Sequence, residues 1–354
     1  MKRLTSLTSY FLLLTAFCLL LSACAPTPLT STGLQTLTII THDSFAISEE
    51  VIKAFEADNN AKVTFLQSGD AGAVLNQAVL TKNAPLADVL FGVDNTFLSR
   101  ALDADIFEAY QSPALSEISK EFKLDPSNRA LPVDYGDVCI NYDKAYFTEN
   151  NLAVPQSFED LSKPDYKDLL VVENPATSSP GLAFLLATRA HFGDGYLDYW
   201  KSLKENGVVV VDGWETAYYT NFSASSGKGP QTMVVSYASS PAAEVFFASP
   251  ALSESPTASI VTPGMCFRQI EFVGILKNGQ NQNLAQKFVD FMLSQKFQED
   301  MPLNMFVYPV NKNAKLPAIF TNFAQTAESP ASLSYSEIAS NRDVWIETWT
   351  AVMK

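Results

Sequence analysis

Residues 35–67 read QTLTIITHDSFAISEEVIKAFEADNNAKVTFLQ, and this stretch decides the fold class. Residues 36–40 and 62–66 are short runs rich in aliphatic, aromatic and β-branched side chains, which suit a pleated strand. Between them Ile47, Val51, Ile52 and Phe55 recur at the spacing that places them on one side of a helix. The unit is therefore β-α-β. Working outward, a helix over about 72–80, a strand over 87–91 and a helix from Asn95 continue the alternation, which predicts a mostly parallel α/β sheet. Strands over 169–173, 208–211 and 232–236, with helical stretches between them, repeat it in the middle of the chain. A strand over 268–276 follows, then an amphipathic helix carrying Leu284, Phe288, Phe291 and Met292, and a final helix near 336–352.

About 320 residues follow the N-terminal segment, more than one core usually serves, so two lobes are expected. The first holds 35–133 and the second 134–265; residues 266–354 return through a hinge to the first lobe and end in the C-terminal helix. Ahead of them, Lys2 and Arg3 precede an apolar run over 10–21, the order of a secretory leader. The run ends in Leu21-Ser22-Ala23-Cys24, which resembles a bacterial lipobox. Residues 1–23 are thus expected to be removed and Cys24 to carry lipid. Residues 25–34, rich in Pro, Thr and Ser, read as a flexible stalk. The expected location is the outer face of the cytoplasmic membrane or the periplasm.

Twenty-four basic residues against 38 acidic give a net charge of −14, and loss of Lys2 and Arg3 makes it more negative still. Such a surface repels nucleic acid and mildly favours cationic ligands. Of the four cysteines, Cys18 would leave with the leader and Cys24 would be acylated. Cys139 and Cys266 remain, and an oxidising compartment permits either a disulfide or two buried thiols.

Only two histidines are present, and no zinc-protease, C-x-x-C, G-x-S-x-G or phosphate-loop motif occurs. Metal and triad catalysis lose most of their support, and no cofactor is expected. In doubly wound sheets ligands lie beyond the carboxyl ends of strands, which points to the loops 42–44, 68–70 and 177–181. Aromatic residues gather near element ends in the second lobe, among them Trp214, Tyr218, Tyr219 and Tyr237. Trp214 follows the turn signal Asp212-Gly213, so its ring is a candidate to stack on a ligand.

From Thr41-His42-Asp43-Ser44-Phe45 onward the chain resembles the bacterial thiamine-binding solute receptors of the type II periplasmic-binding-protein fold. Further marks are Asp134-Tyr135-Gly136, Thr177-Ser178-Ser179-Pro180-Gly181, Gly213-Trp214-Glu215 with Ala217-Tyr218, Ser236-Tyr237 with Ser240-Pro241-Ala242, and Tyr308-Pro309-Val310. The resemblance implies two α/β lobes, a ligand cleft between them, and delivery of thiamine or a relative to an ABC permease served by a cytosolic ATPase. It implies a monomeric receptor tethered to the membrane through its lipid. It places His42, Ser44, Asp70, Ser178, Trp214, Tyr218, Tyr237 and Phe306 at the ligand, with Asp70 as the carboxylate beside the cation and Ser178 as a hydrogen-bond donor. The chain departs from the family at two of these positions and one other: His42 replaces a tyrosine and Phe306 a tryptophan, and Ala243 stands where the family has an aromatic residue. Phe246, Phe247 or Tyr219 are available to refill the space.

Two other readings compete. A receptor of the same fold could carry a polyamine, a ferric ion or an organophosphonate; adjacent Tyr218 and Tyr219 on a helix would point different ways, which disfavours iron. A thiaminase-like enzyme would need a cysteine nucleophile, and Cys139 is the candidate, although Val138-Cys139-Ile140 reads as a buried strand.

Overall fold

The computed structural model describes residues 33–224 and 228–354, so the expected leader, Cys18 and the expected lipidation of Cys24 lie outside the described residues. The opening unit forms as its spacing predicts, except that Ile47 precedes the helix, whose N-cap is Ser48. Strand β1 (Gln35–Thr41), helix α1 (Glu49–Asn59) and strand β2 (Ala61–Gln67) follow one another, and the two strands run parallel. Val51, Ile52 and Phe55 are the buried side of α1, with Phe55 edge-on to Phe288 at 5.0 Å. Helix α2 (Ala71–Leu80) and strand β3 (Val89–Asp94) come next, β3 parallel to β1. The helix expected from Asn95 is confined to Leu98–Asp103, because the Asp94 carboxylate first holds a turn by accepting from the N–H groups of Thr96 and Phe97.

Strand β4 (Leu131–Asp143), thirteen residues long, leads into the second lobe. There β5 (Leu170–Glu173), α3 (Ser179–Phe192), α4 (Tyr196–Glu205), β6 (Val209–Val211) and β7 (Met233–Tyr237) follow. Strand β8 (Phe267–Leu276), helix α5 (Gln282–Met292) and helix α6 (Tyr335–Met353) complete the frame. One sheet runs through both lobes in the order β2-β1-β3-β8-β4-β7-β5-β6.

This sheet is mixed where a mostly parallel one was expected. Within each lobe β-α-β units keep their strands parallel, β1 with β2 and β3, β5 with β6 and β7. The chain, however, leaves the first lobe along β4 and returns along β8, so these two strands are antiparallel to each other. β8 is also antiparallel to β3, and β4 to β7. The first part of β4 pairs with β8 and its last part, from Val138, pairs with β7, which makes the β4–β8 pair the connection between lobes.

Cys139 in β4 and Cys266, just ahead of β8, are joined by a disulfide and are fully buried. The question left open by the cysteine count is thus resolved toward the bond, and Cys139 offers no thiolate. The C-terminal helix also does more than return to the first lobe. Arg342 donates to Ser99 Oγ at 2.9 Å in the first lobe. Further along, Trp349 meets Trp200 of α4 edge-on at 5.4 Å and Thr348 bonds the Tyr196 hydroxyl, both in the second. Burying Trp345 and Trp349 requires apolar surface, and α4 supplies it.

Candidate ligand site

A cavity of about 270 Å³ lies where the turn after β1, the segment after β6, the end of β7 and residues 304–307 converge. β1, β6 and β7 all contribute their carboxyl ends, as the crossover rule for such sheets requires. Of the eight residues singled out from sequence, His42, Ser44, Trp214, Tyr218, Tyr237 and Phe306 line this cavity. Asp70 and Ser178 do not.

Trp214 opens a short helical turn after β6. Its indole stacks on Tyr218 with centroids 5.0 Å apart and planes 21° apart, and its Nε1 donates to Ser236 Oγ at 2.9 Å. The Tyr218 hydroxyl donates to Glu244. Both contacts lock the rings, so the wall is rigid before any ligand arrives. Residues 217–221 are wound as a π-turn, which brings the neighbouring Tyr219 to the cavity as well, with its ring perpendicular to Tyr218. The adjacent tyrosines do point apart, Tyr218 buried and Tyr219 half exposed, yet both reach the cavity lining.

His42 occupies the turn after β1, with Nδ1 3.2 Å from Ser44 Oγ. Its Nε2 lies 3.5 Å from Glu271 Oε1 without the alignment of a hydrogen bond. Burial lowers its pKa to about 4, so the ring is neutral at pH 7 and does not oppose a cation. The ring fits only because residue 92 is glycine: φ there is +102°, and a Cβ would stand 2.4 Å from His42 Cδ2. Tyr237 depends in the same way on Gly136, where a Cβ would come within 2.8 Å of its ring. Phe306 is held at φ 55°, a strained value for an aromatic residue, by the Ser239 hydroxyl donating to its carbonyl. Phe246 and Phe247 pack on its ring, and Phe247 reaches the cavity.

Asp70 and Ser178 are brought together elsewhere, at the contact between lobes. Asp70 caps α2 through the N–H of Ala71 at 2.6 Å and accepts from the N–H of Trp214, in the other lobe, at 3.1 Å. Ser178 caps α3, is fully buried, and lies beside the same carboxylate, whose charged form it favours. Beside them Gly72 N–H donates to Thr177 O at 3.0 Å across the same boundary, an approach that a Cβ on residue 72 would block. In this closed arrangement the Asp70 carboxylate seats the Trp214 backbone.

Three carboxyl groups form a buried row, of which Glu271 reaches the cavity lining. Glu271 on β8 stands directly across from Asp94 on β3 and from Asp134 on β4, so the strand register puts all three in one row. All are buried. Burial raises Asp94 and Asp134 to about 7 and lifts Glu271 well above its ordinary value, with repulsion from Asp134 adding to the last. Among the described residues no Lys or Arg lines the cavity, and no cluster of three or more His, Cys, Asp or Glu is arranged to hold a metal ion.

A pH dependence follows. Between the unfolded carboxyl pKa, near 4, and about 7 the folded state binds more protons than the unfolded chain, so stability falls as pH rises through that window. His42 acts oppositely, since its depressed pKa costs stability as pH drops below 6.5, but it is one group against three. The melting temperature of the unliganded protein should therefore fall by several degrees from pH 5.5 to 8, and Glu271→Gln should flatten the fall. A melting temperature that rises over this range in scanning calorimetry would contradict a protonated row.

Tyr219 and Phe247, available from sequence to refill the space, do line the cavity, whereas Glu271 and Glu215 line it without having been singled out. Glu271 carried a signal: it is a lone acid inside the apolar strand Phe267–Leu276.

The model of the bacterial extracellular solute-binding proteins matches residues 84–322. The thiamine-binding periplasmic protein of Escherichia coli strain K12 is 31% identical over 322 residues, covering 88% of this chain and 92% of the relative. A solved periplasmic thiamin binding protein superposes with a TM-score of 0.79 at 28% identity, over 93% of this chain and 99% of that one. A ferric binding protein from Campylobacter jejuni superposes at 0.70 with 20% identity, over 89% and 99%, a likeness of fold alone.

Proposed function

Because the chain belongs to the bacterial extracellular solute-binding proteins and has the two-lobed type II periplasmic-binding-protein fold, we propose that it captures thiamine, or a close thiamine relative, and hands it to an ABC importer. The observation that carries this reading is the pairing of a locked Trp214–Tyr218 stack with a buried carboxyl row and no opposing Lys or Arg among the described lining residues. Thiamine joins a permanently cationic thiazolium to a flat aminopyrimidine. The aromatic wall suits both rings and offers its π faces to the charge, and the carboxyl row, protonated in the unliganded protein, can release a proton as a cation arrives. Neutral His42 adds a flat surface where a charged one would repel.

The receptor is periplasmic, as the relatives' names support, and works without a cofactor, as a monomer tethered through lipid at Cys24. Its ligand leaves unchanged. A thiaminase-like reaction lacks its nucleophile, since Cys139 is in the disulfide. Calorimetric titration of the chain starting after Cys24 with thiamine, its phosphates and its pyrimidine precursor, with mass analysis of the ligand afterwards, tests the proposal. Tight binding of an intact thiamine form is expected. Absence of binding by all of them, or a cleaved product, would overturn it.

A further inference from the structure

A second cavity of about 600 Å³ adjoins the ligand cavity and shares four of its walls, Tyr218, Tyr219, Ala243 and Phe247. Its remaining lining is mainly apolar and includes Pro250, Leu252 and Pro256. Ala243 stands at the junction, on the helix Ser240–Phe246. Its methyl group is too small to divide the two spaces, whereas a ring at that position would fill the opening. The chamber also keeps large apolar side chains at the surface: Tyr219, Phe247 and Leu252 are 48%, 67% and 42% exposed. Retaining such a cluster beside a binding cavity marks a place where apolar ligand surface is buried.

The charge pattern narrows the occupant. Glu244, which takes the Tyr218 hydroxyl, is the charged residue of the chamber wall, and no Lys or Arg is found there among the described residues. An anionic group would enter apolar surroundings with no counter-charge and face a carboxylate. We infer that this chamber receives an uncharged apolar substituent of a ligand whose flat cationic head lies against Trp214, so that the receptor accepts extended thiamine relatives with neutral tails and disfavours phosphorylated ones. This rests on the cationic-head reading given above and adds the direction and chemistry of the tail.

The test uses calorimetry with thiamine, thiamine monophosphate and thiamine esterified on its hydroxyethyl oxygen with a benzoyl group. The ester should bind the natural sequence within threefold of thiamine or tighter, and the monophosphate at least tenfold more weakly than the ester. Leu252→Asp, at an exposed position outside the main cavity, should weaken the ester at least tenfold and leave thiamine unchanged. Ala243→Phe should lower the ratio of ester to thiamine affinity at least tenfold, in protein whose melting curve remains cooperative. An ester bound more than threefold more weakly than thiamine, a monophosphate matching it, or a Leu252→Asp variant that treats both ligands alike would overturn the inference. Failure of thiamine and ester alike to bind would instead remove the cationic-head reading, and the chamber assignment with it.

Discussion

Replacing Trp214 with alanine should weaken thiamine binding roughly 100-fold while the protein stays folded. A desolvated cation over an indole face is worth roughly 2 kcal/mol and ring stacking about 1 kcal/mol more, and each 1.4 kcal/mol is about a factor of ten. The substitution removes the face without disturbing its seat, because the bond from the backbone N–H of residue 214 to Asp70 is independent of the side chain. Ser236 loses the indole N–H but keeps Ser240 as a partner at 2.9 Å. Trp214→Phe provides the control: it retains a ring that can still lie on Tyr218 and should recover most of the affinity. Titration of both variants decides the matter, and undiminished affinity in a cooperatively folding Trp214→Ala protein would take Trp214 out of the site.

The second large effect concerns stability. Changing Cys139 and Cys266 together to alanine should cost about 2–5 kcal/mol, read as a lower urea midpoint with a steeper slope, because the uncross-linked denatured chain exposes more surface. The bond closes a loop spanning 127 residues, which is nearly the whole second lobe, and the chain-entropy argument assigns long loops the larger effects. Both positions are fully buried beside Ala238 and Ala327, so alanine introduces no unsatisfied polar atom. An unchanged midpoint would mean that the bond forms without constraining the unfolded chain. Such a bond also ties the outgoing and returning connecting strands together where they enter the second lobe.

Much of this molecule was legible before any coordinates. The β-α-β reading of residues 35–67 held because the aliphatic runs and the Ile47–Phe55 spacing are local signals, and the parallel pairing of β1 with β2 follows from the crossover. The strand of residues 268–276 and the helix carrying Leu284 and Phe288 were equally plain. Aromatic residues after turn signals pointed to Trp214, and the family likeness pointed to His42, Ser44, Tyr237 and Phe306, all of which line one cavity. The short helix at Leu98–Asp103 was overestimated because a side-chain bond from Asp94, invisible to periodicity, takes the first turn.

What sequence alone determined was the character of each segment: which runs are strands, which faces are apolar, that the chain is acidic, and that Cys139 and Cys266 lie in its strand-forming part. These are properties of neighbours along the chain, and short-range sterics and burial preference are enough to read them. Tertiary structure decided everything that depends on register and closure. Only the pairing of β3, β8 and β4 brings Asp94, Glu271 and Asp134, from three distant parts of the chain, into one buried row. The meeting of the lobes likewise turns Asp70 toward the Trp214 backbone, and only the folded packing sets a second cavity against the first with Ala243 in the lining of both. A one-residue slip in a strand would move each such acid to the opposite face of the sheet, and no local pattern in the sequence records which register the folded chain adopts.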